Sequence, residues 1–308
     1  MLADFLRPLR PVDALICCFA LILSIIILLN FGTIAAAPTV ILINIFISLG
    51  IITVANINAR NERSALSFVH DWYPAPMIFL TFKEIHVIIQ SLNLRDHDAI
   101  LISADRWMFG TDPTVWLRRF STPPLTELMQ IGYASYFFLM LAVAVELWRS
   151  NSHERFSIYV FTLVYGFYLS YVGYLLFPAI GPRFTLHNFA SMNSELPGIF
   201  ATEWIRNFLN AAESIPADAA TAWKFAQRDA FPSGHTQMTL IALYFAFKYS
   251  LRSRYVLTFF GMLVIIATMY LRYHYVVDVL FGVVFTVITI WSADYFFNRE
   301  RRRSAATP

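Results

Sequence analysis

The segment Val12–Asn30 is an almost unbroken apolar run, close to the about 20 residues that a helix needs to cross the hydrocarbon core of a bilayer. Pro38–Asn56 is a second such run. Leu125–Trp148, Phe156–Phe177, the shorter Thr236–Tyr249, Tyr255–Tyr273 and Val276–Phe297 follow, with polar breaks between them. Hydrophobic residues make up 58% of the 308 and charged residues 14%, against about 45–50% and about 25% in soluble domains. With a mean hydropathy of +0.57, a single core cannot absorb the surplus, which points to lipid. A soluble globular enzyme, a disordered chain and a disulfide-built secreted domain are thereby excluded. Cys17 and Cys18 are adjacent within the first run and make no framework. That run has no small-residue cleavage site and reads as a retained span. The net charge of +3 is too small to suggest nucleic acid.

Phe68–Gln90 is interrupted by Pro74, Pro76 and the Lys83–Glu84 pair, so hydropathy leaves its crossing open. Cytoplasmic loops are enriched in Lys and Arg, and this arbitrates. The clusters are Arg7 and Arg10; Arg60 and Arg63; Arg149 and Arg155; Lys248, Arg252 and Arg254; and Arg299, Arg301, Arg302 and Arg303. They share one side only if Phe68–Gln90 crosses. The expected fold is an all-α polytopic membrane bundle of about eight spans with both termini cytoplasmic. Asn93–Pro124 mixes aromatic and charged residues, as in an interfacial amphipathic helix. It falls with the long loop Pro178–Phe231 on the extracytoplasmic side. The expected organisation is 1–124, N-terminal spans and interfacial segment; 125–298, a second membrane domain; and 299–308, a basic cytoplasmic tail.

Two elements carry chemistry. Pro232-Ser233-Gly234-His235 stands at the entrance of a span. Proline and serine favour a helix start, and the free N–H groups there form an anion site that a glycine lets a ligand approach closely. The plainer reading is a capped helix with an interfacial histidine. The second element is His274 with Asp278 four residues on, one helical turn apart. A carboxylate so placed fixes the imidazole tautomer and leaves the other ring nitrogen free to attack. The alternative is a pair that caps the span, although ionisable groups at membrane depth are usually functional. Lys224 and Arg228 either bind an anionic head group or form a solvated loop face. His70, His97 and His187 read as loop histidines.

Together the two elements resemble the type 2 phosphatidic acid phosphatase and haloperoxidase superfamily, with its motifs Lys-x6-Arg-Pro, Pro-Ser-Gly-His and Ser-Arg-x5-His-x3-Asp. The resemblance covers roughly Leu125 to Phe297. Residues 232–235 match the second motif fully, and His274 and Asp278 match the end of the third. Ala267 and Thr268 stand where the third motif has Ser-Arg, with Arg272 two residues before the histidine. Leu176 stands at the first motif's lysine, with Arg183 beyond it. Ala-Thr-Met-Tyr-Leu before the histidine, Asp105-Arg106-Trp107-Met108-Phe109-Gly110 and Pro182-Arg183 resemble the inositol-phosphorylceramide synthase branch.

The resemblance implies a catalytic six-helix core and a lipid-phosphate phosphatase or phosphotransferase acting at the extracytoplasmic face, on a membrane lipid or isoprenoid phosphate. In that scheme His274 is the nucleophile, forming a phosphohistidine, Asp278 orients it, and His235 is the general acid and base. Arg183, Ser233 and the Gly234 amide bind the phosphoryl oxygens, and Lys224, Arg228 and Arg272 are further head-group candidates. No metal or other cofactor is implied. A non-enzymatic lipid carrier or scramblase that kept the fold is the competing class.

Overall fold

The computed structural model describes residues 6–60, 65–150, 152–216 and 221–305, with side chains to residue 297. Arg63 and the side chains of the basic tail, Arg299 to Arg303, therefore lie outside the described residues. The helices of eight residues or more are α1 (Pro11–Leu29), α2 (Ala37–Arg60), α3 (Ala65–Trp72), α4 (Pro74–Leu92), α5 (Asp98–Phe109), α6 (Pro123–Ala134), α7 (Tyr136–Arg149), α8 (His153–Leu176), α9 (Thr202–Ala212), α10 (Gly234–Lys248), α11 (Arg254–Tyr270) and α12 (Val276–Ala305). No strand occurs among the described residues. Proline opens α1, α4 and α6, where its missing N–H costs nothing.

Among the described residues five helical stretches are long and apolar enough to cross a membrane, Ala65–Leu92 being one of them. The count rises to six if α6 and α7 form a single span. The chain is thus a multi-pass membrane protein, although the eight expected spans do not each appear as a full-length helix. Leu125–Trp148 is not straight: α6 and α7 meet at 44° around Ser135, whose hydroxyl donates to the Gly132 carbonyl at 2.6 Å. Such side-chain bonding to the preceding turn bends helices. Asn93–Pro124 is likewise not one amphipathic helix, because Gly110 takes a left-handed conformation and closes α5, and Pro113 opens a short turn of helix.

The chain divides into two compact units, one of residues 1–94 and 153–168, the other of 95–152 and 169–308. In the first, α1 buries Val12, Ile16, Phe19, Leu23 and Ile27, one stripe at helical spacing. Asn44 of α2 donates to Ser24 at 3.1 Å and to Glu84 at 2.8 Å, so the acid of the Lys83–Glu84 pair has a structural partner. Asp13 is fully buried; it accepts from the Arg10 amide at 2.7 Å and the Tyr73 hydroxyl at 2.6 Å, and faces His70 Nε2 at 2.9 Å. His70 is therefore a buried helix residue, not a loop histidine.

In the second unit α10 packs against α11 and α12. The approach to α12 is close enough that a Cβ on Gly282 would stand 2.7 Å from the Ser233 carbonyl oxygen, so only glycine fits. The amphipathic α9 is pinned at its entrance by Glu127 of α6, which accepts from the Ile199 and Ala201 amides at 2.8 and 2.6 Å and from the Thr202 hydroxyl at 2.7 Å. Its outer face presents Trp204 and Phe208 exposed.

Candidate active site

Helix α5 organises the site through two carboxylates seven residues apart, hence on one face. Asp98 accepts from the Ile180 and Gly181 amides at 3.0 and 2.9 Å and from the Tyr275 hydroxyl at 2.8 Å. Asp105 accepts from the Val276 and Val277 amides at 2.9 Å each, satisfying the free N–H groups at the start of α12. One face of one helix thus fixes both the turn before Arg183 and the helix that carries Asp278. Gly181 sits at φ +88° with the Tyr273 carbonyl oxygen 2.6 Å from where a Cβ would lie, so the turn requires glycine.

His235 opens α10 and His274 lies in the link between α11 and α12. Their rings meet, with His235 Nδ1 3.1 Å from His274 Nε2. The other nitrogen of His274, Nδ1, donates to the Ala230 carbonyl at 2.7 Å. A carbonyl can only accept, so the neutral His274 ring has its proton on Nδ1 and its lone pair on Nε2. His235 Nδ1–H then donates into that lone pair. Burial is the main cause that lowers the His274 pKa to about 4, with the Arg183 charge adding to it, against the opposing pull of Asp229 and the Ala230 carbonyl. The imidazole is neutral throughout the physiological range.

Asp278 is 3.5 Å from His274 Nδ1, beyond a good hydrogen bond. It takes the Tyr275 amide at 2.8 Å, because α12 begins at Val276 and puts Asp278 in its first turn as a capping residue. The sequence spacing assumes a helix running through 274–278, and the helix starts two residues too late for that. The Ala230 carbonyl orients the imidazole in its place. Asp278 Oδ1 is buried without a hydrogen-bond partner among the described residues.

Arg183 is 95% buried. Its guanidinium lies 4.6 Å from the Tyr273 ring centre and 4.8 Å from that of Phe184, and it is ion-paired with Glu213. The Tyr273 ring stacks on Tyr133 at 4.3 Å, and Tyr133 lies 4.8 Å from the His235 ring. An unbroken line of contacts therefore joins Arg183 to the histidine pair. The other phosphate candidates are already engaged. The Ser233 amide donates to the Asp278 carbonyl at 3.0 Å, its hydroxyl oxygen caps α10 by accepting from Thr236, and the Gly234 backbone bonds the Tyr174 hydroxyl.

The remaining cations point to other partners. Arg272 bonds Glu195 at 2.6 Å, and its own carbonyl receives the Arg183 amide at 2.9 Å. It supports the backbone of the site. Arg228 holds Asp96 at 3.2 Å and the Ala226 carbonyl at 2.7 Å, and Lys224 is exposed.

The sequence reading missed two acids. Glu213 pairs with Arg183, and Asp229, whose carboxyl is pushed up to about 6 by burial and then by Glu213, acts on His274. Asp229 stands beside Arg228 and four residues before Ser233, which is a sequence hint. Glu213 carries none.

A family model described as PAP2 superfamily matches residues 99–292, a range that holds Asp105, Arg183, His235, His274 and Asp278 and begins one residue after Asp98. A PA-phosphatase related-family protein of Dictyostelium discoideum is 25% identical over 189 residues, covering 56% of this chain and 32% of its own length. The chain thus spans about a third of that relative. No solved structure matches.

Proposed function

The chain belongs to the PAP2 superfamily, and from that premise we propose that it is an integral-membrane lipid-phosphate phosphatase or phosphotransferase working from the extracytoplasmic face through a phosphohistidine. The observation that carries this reading is the histidine pair, with the unprotonated Nε2 of His274 facing His235 and Arg183 joined to it through the Tyr273 and Tyr133 rings.

The lipid phosphoryl group enters beside Arg183, and His274 Nε2 attacks phosphorus as the bond to the leaving oxygen breaks. His235 enters this step as the imidazolium: its Nε2 proton passes to the leaving oxygen, and the ring is left neutral with Nε2 free to act on the incoming acceptor. In the second half His235 removes a proton from water or a lipid hydroxyl, whose oxygen displaces the phosphoryl group from His274 and restores the starting state. The Ala230 carbonyl steadies the Nδ1 proton while the ring gains positive charge, and the buried Asp278 carboxyl nearby adds electrostatic support. Arg183 stabilises the phosphoryl oxygens, the term to which proteins contribute most in phosphoryl transfer.

Assays on a phosphorylated lipid test the scheme. His274→Ala should abolish turnover with the protein still folded, and His235→Ala should slow it about 10²–10⁴-fold. Arg183→Lys keeps the charge but loses the planar fork that meets two oxygens, and should lose most of the rate. Full activity in His274→Ala would end this reading.

A further inference from the structure

The Arg183–Glu213 pair is unequal in its freedom to move. Arg183 is fixed from several directions: it is buried, sandwiched by Tyr273 and Phe184, and tied through its amide to the Arg272 carbonyl. Glu213 sits at the C-terminal end of α9, with its side chain 21% exposed. A guanidinium presents its donors in one fork, and the edge that serves a carboxylate is the edge that would serve a phosphoryl group. A second acid, Asp229, lies in the same electrostatic neighbourhood and feels Glu213 directly.

We propose that Glu213 is a specificity-determining residue: its carboxylate occupies Arg183 in the empty site, and an incoming phosphoryl group binds by displacing it. This rests on the reading of Arg183 as the phosphate ligand. Glu213 is then an internal competitor, and it weakens the apparent affinity for any anion by the fraction of time that Arg183 is free. An anion that cannot outcompete a carboxylate does not reach the histidines. The partly exposed side chain at a helix end gives Glu213 the room to swing away while α9 stays anchored by Glu127 and by Arg206, which donates to the Leu196 carbonyl at 3.1 Å.

Calorimetric titration of the purified full chain in detergent with inorganic phosphate tests this. Glu213→Gln and Glu213→Ala should both lower the half-saturating phosphate concentration, by about tenfold if Arg183 is free a tenth of the time. A merely structural pair gives the opposite sign, because Arg183 without its brace would hold phosphate less well. Two variants guard against one failing to fold, and each is checked by its melting transition. Unchanged or weaker binding in the folded variants, with phosphate binding by the wild type intact, overturns the role of Glu213 alone. Binding by neither wild type nor variant overturns the phosphate reading, and this inference with it.

Discussion

At the scale of single residues, the site depends on where one proton resides. The Ala230 carbonyl accepts a hydrogen bond from the Nδ1–H of His274, so Nε2 carries no proton of its own and keeps a lone pair, which faces His235. Burial holds the His274 pKa at about 4, against an ordinary value of 6.5. The proposed nucleophile is therefore already unprotonated at neutral pH, and kcat/KM should hold its value as pH falls through 6.5 and decline only as it nears that lower pKa. Asp229 raises the His274 pKa, so Asp229→Asn should shift the acid limb further down, as the pH profile of the purified enzyme would register. An acid limb near 6.5 would mean that the working imidazole is not the buried one. His235 could be picked out by the local Pro-Ser-Gly-His run, and His274 with Asp278 by their four-residue step, although the helix that the step assumes begins only at Val276. The partner of His274 could not, since a backbone carbonyl 44 residues away leaves no trace in residue type. Glu213 was hidden for the same reason: its partner Arg183 is distant in sequence.

At the scale of elements, α5 does what the two matched motifs cannot do by themselves. Asp98 and Asp105 between them bind four backbone amides, at 180–181 and at 276–277. Asp105→Ala would uncap α12, a loss of about 0.5–2 kcal/mol, and should lower the melting temperature modestly. It should lower turnover more than its stability cost accounts for, since the same helix start positions His274 and Asp278. A thermal melt and a rate assay on one preparation separate the two effects. Equal activity with a lowered melt would make α5 a purely structural brace. Helices α1 and α2 of the first unit could be read from hydropathy because each is a long, almost unbroken apolar run, whereas Ala65–Leu92, interrupted by Pro74, Pro76 and the Lys83–Glu84 pair, needed loop charge as well. The break at Ser135 could not be read, because nothing in composition distinguishes a straight helix from two joined at an angle.

At the scale of the whole molecule, the proposed function puts the site on one side of the membrane. Loop charge leads to the expectation that the histidine pair lies opposite the Lys248–Arg254 connection. With Cys17 and Cys18 replaced, single cysteines at Asn193 and at Arg252 should react with an impermeant thiol reagent from opposite faces of sealed vesicles; same-face labelling would reverse the assignment. The chemistry itself is tested most directly by trapping the intermediate. Purified protein is mixed with a lipid substrate carrying labelled phosphorus, quenched in milliseconds under alkaline conditions that preserve phosphohistidine, and mapped by peptide mass spectrometry. The account predicts label on the peptide containing His274, transient in the wild type, longer-lived in His235→Ala once formed, and absent in His274→Ala. Turnover with no label on that peptide, or label that persists in His274→Ala, would contradict it.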